Sequence, residues 1–163
     1  QCRAEDIENV RAKYADLGIP ADLATYMEDI PERLSWTHLV IARAGASSIA
    51  ELTVAGRPAI LIPLPTAMDD HQTFNVSEMV ASGGARAIKQ SAFTPKELAK
   101  QMQKLGLDPQ GLVNAAKAAW RCGRPHAAKD LADMVEGLSR PPVMDGLKSE
   151  QWSGAASVSG AGA

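Results

Sequence analysis

The chain has 163 residues, a length that suits one domain, and 45% of them are hydrophobic, as in an ordinary globular protein with a buried core. This composition argues against a disordered or fibrous protein. The formal net charge is -2 and like charges form no block, so the long-range basic field of nucleic-acid-binding proteins is missing and we expect no nucleic-acid partner.

Helical and strand-like patterns alternate through the first part of the chain. Residues 4–17 place apolar side chains at helical spacing, and the pattern stops at Gly18 and Pro20. The run "LVIA" at 39–42 is apolar at consecutive positions, which is typical of a strand covered on both faces. From these signals we predict helices at 4–17, 29–37 and 47–55, and strands at 22–27, 38–43 and 59–64.

The second part continues this alternation and then becomes helical. We predict a strand at 85–89 and helices at 71–81, 95–105, 109–120 and 125–137, the last three each opened by a proline. Alternating strands and helices with short connections imply parallel strands and right-handed crossovers, hence an α/β fold with a doubly wound parallel sheet of Rossmann-like topology. Residues 139–163 become rich in Gly, Ala and Ser, which predicts a flexible low-complexity tail after a domain over 1–138.

Cysteine usage and hydropathy indicate a reducing compartment. Cys2 and Cys122 are far apart and lack the Cys-x-x-Cys spacing of zinc sites, so we interpret both as free thiols. No apolar run approaches the roughly 20 residues of a membrane-spanning helix, and no signal-sequence pattern opens the chain. These features predict a cytoplasmic protein.

The loop after the strand at 38–43 has the composition of an anion-binding turn. Ligands of open parallel sheets bind at the carboxyl ends of the strands, where loops lead into helix N-termini. Gly45 and Ala46 leave the backbone approachable. The amides of Ser47 and Ser48 begin a helix whose positive dipole end favours phosphate. Glu51 lies one turn further on the same face, where it could accept two hydrogen bonds from a ribose diol. Alternatively, a serine caps the helix and Glu51 is a first-turn acid.

A second polar loop, "TAMDDHQTFNV", follows the strand at 59–64. It holds carboxylate and amide groups of the kind that bind sugar hydroxyls, on Asp69, Asp70, His71, Gln72 and Asn75. Asp70 could equally be a helix N-cap, with Asn75 in solvent. His71 is a candidate general base, but it has no second His or Cys nearby and we interpret it as structural. Asp69 and Asp70 are the one acidic pair considered for a metal, and we predict no metal site.

Three segments together resemble a known family. "RAGASSIAE", "AGRPAILIPLP" and "DDHQTFNV" are similar, in order and spacing, to the carboxy-terminal half of the MurG family, bacterial transferases that add N-acetylglucosamine to lipid-linked muramyl pentapeptide. The resemblance covers residues 1–138. It implies a two-domain GT-B glycosyltransferase whose carboxy-terminal domain binds UDP-N-acetylglucosamine. The family's "GGS" loop around the diphosphate, and the amino-terminal acceptor domain with the unassigned catalytic base, would precede Gln1, so the chain would be truncated there.

The resemblance also assigns roles to residues of both loops. Glu51 is expected to hold the ribose hydroxyls, and the backbone of Met27 to meet the uracil edge at the end of the predicted strand 22–27. Gln72 is expected at hydroxyls of N-acetylglucosamine, with Asn75 one turn further on. Arg43 matches a family arginine that either contacts phosphate or braces the loop. The whole set expected to bind UDP-N-acetylglucosamine is Met27, Arg43, Gly45, Ala46, Ser47, Ser48, Glu51, His71, Gln72 and Asn75.

The function implied by the resemblance is an inverting hexosyltransferase reaction that needs no cofactor. N-acetylglucosamine would pass from UDP-N-acetylglucosamine to undecaprenyl-pyrophosphoryl N-acetylmuramyl pentapeptide (lipid I), giving lipid II for peptidoglycan synthesis. The parent protein would associate peripherally with the cytoplasmic face of the inner membrane and serve cell division and cell shape, whereas this chain alone would be inactive. Two alternatives stay open. One is a noncatalytic UDP-N-acetylglucosamine-binding subunit that needs a partner chain, and the other is a related UDP-sugar transferase for another lipid acceptor, such as a diacylglycerol.

Overall fold

The structure is a computed structural model that describes residues 1–65, 71–106 and 108–139. It divides into two compact units, Gln1–Pro125 and His126–Ala163. The elements of the first unit are α1 (Ile7–Asp16), α2 (Ile30–Trp36), β1 (Val40–Arg43), α3 (Ala46–Val54), β2 (Ala59–Ile62), α4 (His71–Ala81), β3 (Ala85–Ala87), a 3₁₀ turn (Gln90–Ala92), α5 (Pro95–Gly106) and α6 (Pro109–Cys122). The second unit contains α7 (Ala127–Ser139).

The sheet of the first unit is parallel, with strand order β1-β2-β3. Val40 lies opposite Ala59 in the first pair of strands, and Ala59 lies opposite Ala85 in the second. A helix separates each strand from the next, as a parallel connection requires. The predicted α/β fold with a parallel sheet is therefore confirmed.

Helices cover the two faces of the central strand. Leu61 of β2 belongs to a core cluster with Leu52 of α3 and Met79 of α4. Ile60, its neighbour on the same strand, belongs to a second cluster with Leu105 of α5. Because successive side chains of a strand point to opposite faces, these two clusters lie on opposite sides of the sheet. The layers are those of a doubly wound domain.

The burial of β1 differs from the prediction. All four residues of β2 are buried, but the pattern in β1 alternates and Ile41 is 44% exposed. The physical reason is position, because β1 is an edge strand of the described sheet and one of its faces is only partly covered. The prediction that both faces of this strand are covered was therefore wrong.

The segment 22–27 is not the strand that we predicted. In the structure it has neither helix nor strand, although the Cys2 amide donates a hydrogen bond to the Ala24 carbonyl at 3.0 Å. One such bond does not make a ladder, and a strand needs a neighbour that satisfies its backbone groups in series. Met27 consequently lies on an irregular segment and not at a strand end.

The other predicted elements are present, with ends that differ by a few residues. The helix predicted at 125–137 begins at Ala127, after its proline, and the 3₁₀ turn at Gln90–Ala92 was not predicted. Residue 139 ends α7, and residues 140–163 of the predicted tail lie outside the described residues. Asp69 and Asp70 lie outside them as well.

The start of β3 passes very close to α6. A Cβ atom placed on Gly84 would lie 2.7 Å from both the backbone nitrogen and the Cα of Ala119. Ala119 of α6 and Ala85 of β3 belong to the same buried core cluster, so neither element can move away without disturbing the core. A residue without a side chain is therefore required at position 84 for this approach.

The second unit is helical over its described residues. Leu131, Met134, Val135 and Leu138 recur at helical spacing on α7, which gives the helix one apolar side. Lys129 and Asp133 form an ion pair on the same helix, with Nζ and Oδ2 2.5 Å apart. Such i,i+4 pairs support an exposed helix by a few tenths of a kcal/mol, on the order of 0.3–0.5.

Candidate functional site

The start of α3 exposes backbone donors without a side-chain cap. The N-cap residue is Gly45, with φ -64° and ψ 145°, and among the described residues no side chain accepts a hydrogen bond from the first turn. The first backbone bond into the helix joins the Ile49 amide to the Gly45 carbonyl at 3.0 Å. Within the described part of the chain, the amides of Ala46, Ser47 and Ser48 therefore have no acceptor. The interpretation of a serine as the cap is wrong.

Gly45 is not required by the fold of the turn itself. Its φ is one that any residue adopts, and an added Cβ would meet only the Ser48 Oγ, at an ordinary 3.7 Å. This distinguishes Gly45 from Gly84, where the backbone of a neighbouring helix excludes a side chain. Among the described residues nothing else lies within 4 Å of the Cβ added at Gly45, and a helix start of this kind favours an anion through its amides and its dipole.

Glu51 lies beyond the first turn of α3 and lines a cavity of about 630 Å³. Met27, from the irregular segment, lines the same cavity. Two residues that sequence reasoning assigned to different parts of one nucleotide are thus brought together. Because α3 has no acid in its first turn, the alternative that Glu51 is a first-turn acid is wrong.

Most of the remaining cavity wall is apolar and comes from two helices. Ile30 and Leu34 of α2 face it, together with Val54 of α3. Sequence reasoning missed α2 as a wall, although Ile30 and Leu34 have the i,i+4 spacing of one helix face. A flat apolar ring with a polar edge fits such a cavity, with Glu51 available for hydroxyl groups at its rim.

The amide side chains of α4 tie together the loops that follow β1 and β2. Oε1 of Gln72 accepts a hydrogen bond from the Leu64 amide at 2.9 Å. Nδ2 of Asn75 donates to the Ala44 carbonyl at 3.4 Å. Among the described residues, Nε2 of Gln72 has no acceptor, so a donor remains for a ligand. His71 is the first residue of α4, and its side chain is not among the described parts of the structure.

Arg43 points away from the Glu51 cavity. Its guanidinium donates a hydrogen bond to the Gln90 side chain and a longer one, of 3.4 Å, to the Ile62 carbonyl. Arg43 and Phe93 line a separate cavity of about 460 Å³. These bonds connect β1 to β2 and to the 3₁₀ turn, and both roles left open by the sequence, contact with phosphate and bracing of the glycine loop, stay predictions.

Residues 1–65, 71–106 and 108–139 contain no group of three or more His, Cys, Asp or Glu that could hold a metal ion. None of the helices in this described part combines the length and apolar character needed to cross a bilayer.

Comparison with known proteins places the chain among glycosyltransferases. The model of the "Glycosyltransferase family 28 C-terminal domain" matches residues 1–135. The chain is 61% identical over 157 residues to a Novosphingobium aromaticivorans protein named UDP-N-acetylglucosamine–N-acetylmuramyl-(pentapeptide) pyrophosphoryl-undecaprenol N-acetylglucosamine transferase, covering 96% of this chain and 40% of that protein. A Zymomonas mobilis protein of the same name is 63% identical over 136 residues, covering 83% of this chain and 35% of its own length.

Solved structures give the same picture of the fold. The crystal structure of Acinetobacter baumannii MurG superposes with a TM-score of 0.78 at 32% identity, covering 84% of this chain and 42% of that one. Spinosyn forosaminyltransferase SpnP, at 17% identity and a TM-score of 0.51, shares the fold alone. The chain thus spans about two fifths of the length of the curated relatives it matches, 40% of the Novosphingobium protein and 35% of the Zymomonas protein.

Proposed function

The chain belongs to the family of glycosyltransferase family 28 C-terminal domains, and we propose that it is the donor-binding part of an enzyme that transfers N-acetylglucosamine from UDP-N-acetylglucosamine to lipid I. The printed names of the relatives support this choice over the two alternatives, because they specify both the sugar and the muramyl pentapeptide acceptor. The product of the whole enzyme is lipid II, and the present chain supplies the nucleotide-sugar site of that reaction.

The observation that carries the proposal is the meeting of Met27 and Glu51 in one cavity, which is lined by later residues of the helix whose start is uncapped. A UDP-sugar has a planar base, a ribose diol and a diphosphate in that order. The Met27 wall receives the base, Glu51 accepts hydrogen bonds from the ribose hydroxyls, and the amides at 46–48 donate to the diphosphate. Gln72 donates through Nε2 to a hydroxyl of the sugar.

The reaction that follows from this arrangement is a direct displacement. The 4-hydroxyl of the acceptor attacks the anomeric carbon, and the bond from that carbon to the UDP oxygen breaks. Negative charge then grows on the departing diphosphate, where oriented amides and a helix dipole stabilise it. The hydroxyl proton leaves to a base that we assign to the acceptor domain of the parent protein.

The whole parent protein has further partners in this proposal. The lipid acceptor is membrane-bound, so the parent works as a peripheral protein at the cytoplasmic face of the inner membrane. Its product feeds peptidoglycan synthesis, and loss of the protein would therefore disturb cell shape and division. The present chain needs the acceptor domain to act, and we expect it to be inactive alone.

Replacing Glu51 with alanine tests the proposal directly. In the full-length protein that contains this chain, calorimetric titration with UDP-N-acetylglucosamine should show binding weakened by about tenfold, or about 1.4 kcal/mol, because the ribose diol loses its acceptor. Wild type should prefer UDP-N-acetylglucosamine to UDP-glucose. Glu8→Ala, which removes an exposed carboxylate of α1 outside the cavity, is the matched control. Unchanged binding in folded Glu51→Ala would contradict the donor-site assignment.

A second prediction concerns Gly45. Because its conformation suits any residue and a Cβ fits beside Ser48, Gly45→Ala should melt at the wild-type temperature. It should nevertheless bind UDP about fivefold more weakly, or about 1 kcal/mol, since the methyl group occupies space needed by the diphosphate. Thermal melting and UDP titration of the full-length protein measure the two effects. Wild-type affinity for UDP would show that the diphosphate does not lie against this turn.

A further inference from the structure

One wall of the Glu51 cavity is formed by a segment without regular secondary structure. Tyr26, Met27 and Glu28 line the cavity from this segment. Its upstream side is held by two hydrogen bonds, from the Cys2 amide to the Ala24 carbonyl at 3.0 Å and from the Gln1 side chain to the Thr25 carbonyl at 2.9 Å. Because no ladder fixes the segment, other contacts must determine where its backbone lies.

Arg33 of α2 supplies such contacts. Its Nη1 lies 2.7 Å from Oδ2 of Asp22, and its Nε lies 2.7 Å from Oδ1 of Asp29. Asp29 precedes α2 directly and is therefore a local partner of Arg33. Asp22 is 11 residues away, so the bond from Arg33 to Asp22 closes a loop that contains the cavity wall. Both bonds are charge-assisted and short, which makes them stronger than neutral hydrogen bonds.

The side chain of Asp29 binds Arg33 and does not cap α2. It occupies the N-cap position of α2 but makes no side-chain cap hydrogen bond, and its carboxylate accepts from Arg33 instead. The hydrogen bond from Arg33 holds the pKa of Asp29 below its usual value. A lowered carboxyl pKa means that the ion pair persists at all pH values above the ordinary range of aspartate and weakens only in acid.

The helix that carries Arg33 is itself fixed at its other end. Nη2 of Arg57 donates to the Ser35 carbonyl at 2.8 Å, and its Nη1 donates to the Thr37 carbonyl at 3.2 Å. A cation at a helix C-terminus also complements the helix dipole. Arg57 lies three residues after the end of α3 at Val54, so α2 is tied to the chain segment that follows the helix carrying Glu51. Arg33 therefore connects the irregular segment to a fixed support.

We propose that Arg33 is a positioning residue for nucleobase binding, which acts through Asp22 to hold the segment around Met27 against α2. The inference rests on the proposed function, because it takes the cavity to be the site of the base. Arg33 does not line the cavity, and its effect is indirect. Without the Arg33–Asp22 ion pair, we expect this wall of the cavity to be mobile. Affinity for the base and discrimination between uracil and cytosine should both fall.

Asp22→Asn is the variant that tests this role, because the Asp22 side chain is 68% exposed and its removal leaves the Arg33–Asp29 pair intact. In the full-length protein, KM for UDP-N-acetylglucosamine should rise about fivefold, the upper end for an exposed ion pair, with kcat at saturation unchanged. The ratio of UDP to CDP affinity should fall. Hydrogen exchange of the amides at 24–28 should become faster without ligand. Asp133→Asn, which breaks an exposed ion pair of α7, should change none of these.

Each other outcome overturns the inference in a distinguishable way. Hydrogen exchange at the wild-type rate in Asp22→Asn would show that the Arg33–Asp22 ion pair does not hold the segment. Faster exchange with wild-type KM and UDP preference would show that the held segment does not position the base. Failure of the wild-type protein itself to bind UDP would overturn the proposed function, and the assignment of this wall to a base with it.

Discussion

Replacing Ala46 with proline is expected to lower kcat of the full-length enzyme by about 100-fold while leaving the fold intact, because the proposed function makes the Ala46 amide a donor to the departing diphosphate. Ala46 is the first residue of α3, a position where proline fits and where its missing amide breaks no bond within the helix. Gly45 precedes it with φ -64° and ψ 145°, the extended conformation that a residue before proline prefers.

The effect should fall mainly on kcat, because the charge on the diphosphate grows in the transition state. Steady-state kinetics with UDP-N-acetylglucosamine and the lipid acceptor measure it, and thermal melting checks the fold. Ala46→Ser, which keeps the amide, is the matched control and should behave as wild type. A proline variant with wild-type kcat would mean that the diphosphate does not meet this helix start.

Replacing Gly84 with alanine is expected to lower the free energy of unfolding by about 2–3 kcal/mol, through overpacking of a core that cannot yield. The added Cβ would lie 2.7 Å from two backbone atoms of Ala119 and 3.1 Å from its side chain. Relief requires α6 to move away from the start of β3, and this would open the core cluster that holds Ala119 and Ala85.

Scanning calorimetry of the full-length protein without ligand measures the loss as a lower melting temperature. Gly137→Ala is the matched control, since nothing lies within 4 Å of a Cβ at that position of α7. That control should be neutral or stabilising by up to about 1 kcal/mol, because alanine favours helix over glycine. Equal melting of Gly84→Ala and wild type would show that β3 and α6 can separate without cost.

The local part of the site could be predicted from the sequence. The turn before α3 and the position of Glu51 one turn later follow from residue spacing along one helix, which is a local property. The central strand was predictable for a similar reason, because its consecutive apolar residues Ile60 and Leu61 enter the two core clusters. Even so, the N-cap residue differed from the alternative that serines suggest, since Gly45 takes that position.

The parts that depend on distant contacts could not be predicted. Arg43 reaches Gln90, which is 47 residues away, and nothing local indicates that partner. Arg33 and Asp29 have visible i,i+4 spacing, whereas the bond to Asp22 depends on how the irregular segment folds back. The exposure of Ile41 likewise reflects its place at a sheet edge, which an apolar run does not reveal.

In the proposed function, the uncapped start of α3 links the supply of donor to the lifetime of the protein. A side-chain cap at this position would have contributed about 1 kcal/mol, and the free domain forgoes it. We expect a bound diphosphate to take the place of the cap on the same amides, and a ligand at 100 times its Kd stabilises the folded state by about 2.7 kcal/mol. We therefore expect the domain to open more often when nucleotide sugar is scarce, which exposes it to proteases and makes the abundance of the enzyme follow the supply of its donor.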